Sequence, residues 1–346
     1  MSSLNTQKMI QNITELKAKL EAFIKSEPGR ATDDTFTTLA LEIFRFQAVT
    51  CPPYSKYIEL LEIDTDKITR IEEIPFLPVR LFKNQKVYSL ELPHETIFTS
   101  SATTGMIPSS HYVADLSLYK LSFSRAFNLF YGNPESFNIL ALLPSYLERE
   151  GSSLIFMTEH LIKGSGSKES GFYLYDHQKL AQTLKNLRDS EKRTILLGVS
   201  FALVDFSNNY QINFPELIVM ETGGMKGRGV EMSREEIHKV IKHSFGVNSV
   251  HSEYGMAELL SQAYSDGEGL FRTPHWMKFL LRDFTNPLKI NDKAETGGLN
   301  IIDLANIFSC SFIETEDIGI KTAGNLWKIT GRIQNSEIRG CNLLLG

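Results

Sequence analysis

Cysteine is scarce in this 346-residue chain: Cys51, Cys310 and Cys341, odd in number and far apart. That spacing excludes a disulfide framework and a zinc-ligand pattern, and predicts a protein that works in the reducing cytoplasm. Excess positive charge is missing too. The 36 Lys and Arg residues are outnumbered by 41 Asp and Glu, for a net charge of −5, so there is no electrostatic footprint for nucleic acid or an anionic membrane surface. No uninterrupted apolar run approaches the roughly 20 residues of a membrane span. The N-terminus lacks the apolar stretch of a signal peptide. Met9, Ile13, Leu16, Leu20 and Phe23 recur there at helical spacing instead, so a soluble chain without an export leader is expected. Repeats and low-complexity tracts are also absent, and the linker-like Gly164-Ser165-Gly166-Ser167 reads as a surface loop.

What is present is a 42% hydrophobic composition, ample for a large core. Helical patterning covers residues 5–26, 34–49 and 54–62, with Pro-Gly and Pro-Pro punctuation between the first two boundaries. After an extended connector, Pro75 to Arg80, strands and helices alternate. Strands are expected at 96–99, 111–113, 137–143, 194–199, 217–221 and 247–251; helices at 116–130, with Asp115 as N-cap, and at 154–162, 177–187, 201–206 and 234–245. That order predicts an α/β fold, with a mostly parallel sheet covered by helices. Past Phe271 the texture changes to strands and turns, at 277–282, 298–302, 311–314 and 326–330, a β-rich subdomain.

Several segments at strand ends could carry chemistry, because ligands bind there in parallel sheets. The run Thr99-Ser100-Ser101-Ala102-Thr103-Thr104-Gly105 follows a strand and precedes Pro108. It offers hydroxyls and backbone N–H groups to a polyphosphate without the lysine of a P-loop. A solvated Ser/Thr turn has the same composition. Glu221-Thr222-Gly223-Gly224 follows another strand, and its glycines allow close approach to a flat or anionic ligand, or merely a tight crossover. Tyr254-Gly255 could present a ring to a base, and Glu258 could hold Mg²⁺. Asp317, read as lying beside a turn, could grip a ribose diol, and Arg332, read as following the last strand, could approach a ribose or phosphate.

Taken in order, these segments resemble the adenylate-forming superfamily of acyl-CoA synthetases, adenylation domains and luciferases. Within it the chain is most similar to acyl-protein synthetases of the LuxE type, with phenylacetate-CoA ligases as a related branch. The residues that carry the likeness are 99–105, Leu142 to Arg149, Glu221 to Arg228, Ser252 to Met256 and Arg339 to Asn342. The resemblance implies an N-terminal helical region over 1–75, an AMP-binding core over 76–330, a hinge remnant and tail over 331–346, and no large C-terminal lid domain. It also implies ATP and Mg²⁺ as cofactors and a carboxylic, most simply a fatty, acid as substrate. An acyl-accepting reductase or carrier protein would be the partner. By the same resemblance Ser100, Ser101, Thr103, Thr104 and Gly105 hold the nucleotide phosphates. Gly223, Gly224, Glu253, Tyr254, Gly255 and Asp317 surround adenine and ribose, Glu258 binds Mg²⁺, Arg332 sits near the nucleotide, and Cys341 accepts the acyl group as a thioester. His160 falls where the family lines its acyl pocket.

The chain also departs from the family pattern. Ala102 replaces a glycine, Ala257 replaces a threonine whose hydroxyl contacts the AMP phosphate, and Ser109 and Ser110 stand where relatives often carry Lys or Arg. Two other readings therefore stand beside the acyl-protein ligase: a CoA ligase for a small or aromatic acid, and a nucleotide- or acyl-binding relative with weakened catalysis. For Cys341 an inert buried thiol is the alternative, and Cys310 reads as core.

Overall fold

The computed structural model describes residues 3–89, 93–100, 107–144, 151–223, 232–291 and 293–333, with side chains from residue 11 onward. The chain opens with three helices, α1 (Ser3–Lys25), α2 (Asp33–Thr50) and α3 (Pro52–Leu60), each boundary within three residues of the pattern read from the sequence. Strand β1 (Leu77–Pro78) leads into a 3₁₀ turn, Val79–Lys83. A separate two-stranded hairpin follows, β2 (Thr96–Thr99) with β3 (Ser110–Val113). Next come α4 (Leu116–Phe130), β4 (Phe137–Leu142), α5 (Ser153–Ser165), β5 (Gly171–Phe172), α6 (His177–Leu187), β6 (Arg193–Val199), α7 (Ser200–Asn209), β7 (Ile218–Thr222), α8 (Arg234–Phe245) and β8 (His251–Tyr254). The remainder is β9 (Ala263–Ser265), β10 (Phe271–Arg272), β11 (Met277–Arg282), β12 (Thr296–Asp303), β13 (Phe312–Lys321) and β14 (Trp327–Arg332).

One sheet, ordered β11-β12-β13-β14-β10-β9-β8-β7-β6-β4-β5, joins all of these strands except the hairpin, with β1 added beside β13. From β5 to β8 the pairing is parallel, and from β8 onward along this order it is antiparallel. The β-rich segment expected after Phe271 is therefore the continuation of the parallel sheet. Strand β4 is buried along its whole length, as a parallel strand covered on both faces must be. Its residues alternate between two cores. Ile139, with Ile195, Leu197 and Met220, packs toward α4 and α5; Leu140, with Leu196 and Val219, packs toward α6, α7 and α8. Helix α4 starts where Asp115 accepts the Ser117 and Leu118 amides, and α8 starts with a Ser233–Glu236 capping box.

The N-terminal helices share the larger core with the antiparallel half. Buried Gln47 of α2 fixes that docking: its amide donates to the carbonyls of Asn306 (2.8 Å) and Ile307 (3.1 Å), and its oxygen accepts the Ser311 N–H (2.9 Å). Among the described residues no helix is long and apolar enough to cross a membrane.

Candidate active site

The hydroxyl-rich run read from the sequence begins at the end of β2 and falls, in sequence, between the paired strands β2 and β3. At its base the Ser100 N–H donates to the Ser109 carbonyl (3.1 Å) and the Ser109 N–H to the Ser100 hydroxyl (2.9 Å), so the two ends of the loop are clamped together. The hairpin lies against the segment 255–260. His111 of β3, 1% exposed, donates from Nδ1 to the Ala257 carbonyl at 2.8 Å. Burial pushes the His111 ring down to about 4, so it stays neutral at physiological pH. One residue on, Glu258 is 5% exposed, and the buried Ser109 hydroxyl is among the groups that favour its charged form. Burial holds Glu258 above its ordinary 4.5, against that hydroxyl and the fields of Arg332 and Lys83. The same segment is tied to the antiparallel half, where the Asn306 amide donates to the Glu258 carbonyl (2.8 Å).

Tyr254, Asp317 and Arg332 also meet, on neighbouring elements that differ from those the sequence suggested. The strand expected at 247–251 lies at β8, so Tyr254 sits on the strand. Val250 is fully buried in the core under the α6–α8 helices, and the pairing with β7 begins only at His251. Asp317 lies within β13, and Arg332 ends β14. The 316–319 carboxylate run read as a turn because Gly319 follows it. Yet Gly319 sits within β13, in an antiparallel ladder that shifts register between Ile318 and Gly319, and a Cβ there would lie 3.0 Å from Leu299 Cδ1. That ladder sets Asp317 opposite Arg332, with Arg332 Nε 3.6 Å from Asp317 Oδ1. The Tyr254 hydroxyl donates to Asp317 Oδ2 at 2.7 Å, and its ring meets Phe271 and Phe279 edge-on. Burial holds Asp317 above its usual value, while Tyr254 and Arg332 pull the other way.

A third group sits at the ends of β7 and β8. Thr222 donates a very short hydrogen bond to buried Glu253. A Cβ on Gly255 would come 2.5 Å from Glu253 Oε1, so a side chain at 255 would displace that carboxylate. Gly223 takes a left-handed φ of +68°, which favours glycine, and its carbonyl accepts from the Ser200 hydroxyl at 2.8 Å. The same hydroxyl lies 2.8 Å from Glu221 Oε2, while Arg234 Nε is 3.3 Å and His238 Nε2 3.8 Å from Oε1. Burial disfavours the Glu221 charge, but His238, Arg234 and Ser200 outweigh it and hold the group below its usual range. Arg234 also donates to the Ile329 carbonyl (3.0 Å) and lies over the Phe271 ring, bridging the parallel half to β10 and β14.

The structure thus gathers Ser100, Glu258, Tyr254, Asp317 and Arg332 around the sheet junction, with Glu253, Gly255 and Gly223 at the adjoining strand ends. His160 stands apart on the exposed side of α5, its ring edge-on to Phe123 and its proton affinity lowered by burial and by Lys120 and Lys163. Ser101, Ala102, Thr103, Thr104, Gly105, Gly224 and Cys341 lie outside the described residues. Sequence reading missed His111, Arg234 and Lys83. His111 had a signal, a polar residue at an inward position of an alternating strand. Arg234 had one as well, the first helical position after a capping serine.

Among the described residues no group of three or more His, Cys, Asp or Glu side chains gathers to hold a metal. Magnesium does not need one, since it binds through one or two carboxylates plus substrate phosphates and water. A lone buried carboxylate beside a hydroxyl-rich loop suits that mode, so Glu258 fits the ion.

A family model described as acyl-protein synthetase, LuxE, matches residues 2–346. The long-chain-fatty-acid–luciferin-component ligase of Aliivibrio fischeri is 24% identical over 312 residues, which make up 81% of this chain and 79% of that protein. A protein of the same description from Photorhabdus luminescens is 38% identical over 69 residues, 20% of this chain and 59% of its own. Among solved structures, 2-hydroxyisobutyryl-CoA ligase in its postadenylation state matches with a TM-score of 0.60 at 12% identity, over 87% of this chain and 68% of that one. A long-chain-fatty-acid–CoA ligase from Archaeoglobus fulgidus gives 0.51 at 14% identity, over 71% and 53%. The chain spans about half to two thirds of these two structures, and at such identities the likeness is one of fold, that of the adenylate-forming ligases.

Proposed function

The chain belongs to the LuxE acyl-protein synthetase family, and from that premise we propose that it activates a carboxylic acid with ATP and passes the acyl group to a thiol. The relatives' names point to a long-chain fatty acid as the substrate. A substrate carboxylate oxygen attacks the α-phosphorus of ATP, the bond to the β-phosphate breaks, and acyl-AMP and pyrophosphate form. A thiolate then attacks the acyl carbonyl and AMP leaves. Cys341 is the proposed thiol, and a reductase or carrier protein the proposed final acceptor.

The observation that carries this reading is the hydrogen bond from His111 of the hairpin to the Ala257 carbonyl, which sets the hairpin base against the Glu258 segment, beside the linked Tyr254, Asp317 and Arg332. Two anions must be brought together, so donors and positive charge have to surround them. The clamp between Ser100 and Ser109 fixes the mouth of the loop whose hydroxyls and N–H groups would receive the phosphates. Neutral His111, by holding the Ala257 carbonyl, keeps the Glu258 segment against that mouth. Mg²⁺ bound by Glu258 would neutralise charge on the phosphates and the leaving group. Asp317 is poised to accept from ribose hydroxyls, its orientation set by the Tyr254 hydroxyl.

The test is pyrophosphate release across a panel of carboxylic acids, followed by capture of a hydroxylamine-sensitive thioester. Acid-dependent release without coenzyme A is expected, with the thioester lost in Cys341→Ser and kept in Cys310→Ser. Release only when coenzyme A is present would move the chain to the CoA-ligase reading. ATP binding with no release for any acid would leave a binding protein.

A further inference from the structure

The anionic chemistry proposed above needs positive charge at the phosphate loop, and positions 109 and 110 do not supply it. Ser109 is buried, and its hydroxyl is among the groups that favour the Glu258 charge. The 3₁₀ turn Val79–Lys83 stands opposite. A cavity of about 410 Å³ is lined there by Arg80, Leu81, Lys83 and Asn84 together with Ile107, the exit of the hairpin loop. That volume falls within the usual range of small-ligand pockets. Two cations and a carboxamide thus share one concavity with Ile107. Among the described residues neither Arg80 nor Lys83 has a carboxylate within 4 Å. Their fields fall instead on Glu258, for Lys83, and on Glu314 and the Tyr57 hydroxyl, for Arg80. Ile107 is 66% exposed at the rim, an apolar lip that a bound molecule would cover.

We propose that Lys83, assisted by Arg80, forms a polyphosphate subsite that receives the terminal phosphates of the nucleotide and the departing pyrophosphate, replacing the basic residues missing at 109 and 110. The inference rests on the adenylation reading, and it assigns the charge that reading requires to the turn that precedes the β2–β3 hairpin. Lys83 is half-buried, so its stem is held while the ammonium is free to reach an anion. The turn is anchored through Phe82, which is buried and packs edge-on against His111, so the basic turn and the hairpin are positioned by one contact.

The test is calorimetric titration of the full chain with ATP·Mg²⁺, AMP and pyrophosphate·Mg²⁺, for the wild type and for Lys83→Met, Lys83→Arg and Arg80→Ala. Lys83→Met should weaken ATP and pyrophosphate about tenfold or more, the worth of one charged hydrogen bond, and leave AMP within about twofold. Lys83→Arg should restore most of the loss, and Arg80→Ala should show a smaller loss with the same selectivity. Equal weakening of ATP and AMP, or unchanged ATP with a weakened response to the acid, overturns the subsite. If the wild type binds neither ATP nor AMP, the adenylation reading fails. The pyrophosphate arm then judges the subsite alone: binding lost in Lys83→Met upholds it, and no binding by the wild type overturns it.

Discussion

Two buried glutamates at neighbouring strand ends are treated oppositely by this fold. Glu221 lies among Ser200, Arg234 and His238, and is held below its ordinary proton affinity despite burial. Glu258, equally buried, has one hydroxyl and two more distant cations, and is held above it. A carboxylate whose charge is already matched stabilises the protein and has little left for a ligand. A carboxylate left short of partners costs stability, and that cost is withdrawn when a cation arrives. From this comparison we propose that Glu221 is a brace and Glu258 a binding group, although both sit beside motifs that the sequence marks equally.

The largest effect that would break the comparison is on turnover. Glu258→Gln removes the charge but keeps the size, and should lower acid-dependent pyrophosphate release about a hundredfold or more, the scale of a lost metal contact. Wild-type binding of ATP·Mg²⁺ should also strengthen as pH rises above about 4.5 through the raised Glu258 value, because the ion displaces the proton. Calorimetry in buffers of different ionisation enthalpy would detect that proton release, and Glu258→Gln should abolish it. Release of pyrophosphate at the wild-type rate by the variant would show Glu258 to be a second brace.

The next effect is on stability, and its sign should differ between the two residues. Glu221→Gln should cost about 2–4 kcal/mol at pH 7, somewhat below a fully buried broken pair because Arg234 keeps 34% of its side-chain exposure. The Glu221 contribution is present above the unfolded value near 4.5 and is lost as pH falls through the lowered folded value, so the cost should shrink in acid. Glu258 works the other way. Its raised value stabilises the fold below about pH 4.5, and that contribution is lost as pH rises, so Glu258→Gln should be neutral or stabilising at pH 7. Urea unfolding of both variants at pH 7 and pH 4 checks the crossing; two curves that move together would erase the distinction.

Much of this was legible beforehand, for physical reasons. Helices α4, α6 and α8 and strands β2 and β11 were read with the boundaries they have, because caps and strong periodicity sit in the local sequence. Tyr254, Asp317 and Arg332 were legible as types in an order, but not as strand residues. The ladder placing Asp317 opposite Arg332 is a long-range pairing, and β9 and β10 were too short to show a pattern. Of the groups that set Glu221 and Glu258 apart, Arg234 comes from the next helix, while Ser109 comes from a segment far off in sequence. Lys83 is farther still from Glu258, and no local pattern joins them.

The smallest effect is the sharpest probe of how Glu258 is kept short of charge. Arg332 is 77% exposed and 3.6 Å from Asp317, so as an ion pair it should be worth under about 0.5 kcal/mol, and Arg332→Ala should hardly move the unfolding midpoint. Yet its field falls on Asp317, Glu258 and the Tyr254 hydroxyl together. Removing it should raise the proton affinity of both carboxyls, move the acid limb of ATP·Mg²⁺ binding to higher pH, and weaken binding a few-fold on that acid limb with less change at pH 8. Lys at 332 keeps the charge while losing the planar fork, and should return the acid limb most of the way. A loss that is the same on the acid limb and at pH 8, or that Lys does not relieve, would mean that Arg332 acts through direct contact with the nucleotide. The unmatched state of Glu258 would then be set by burial and Ser109 alone.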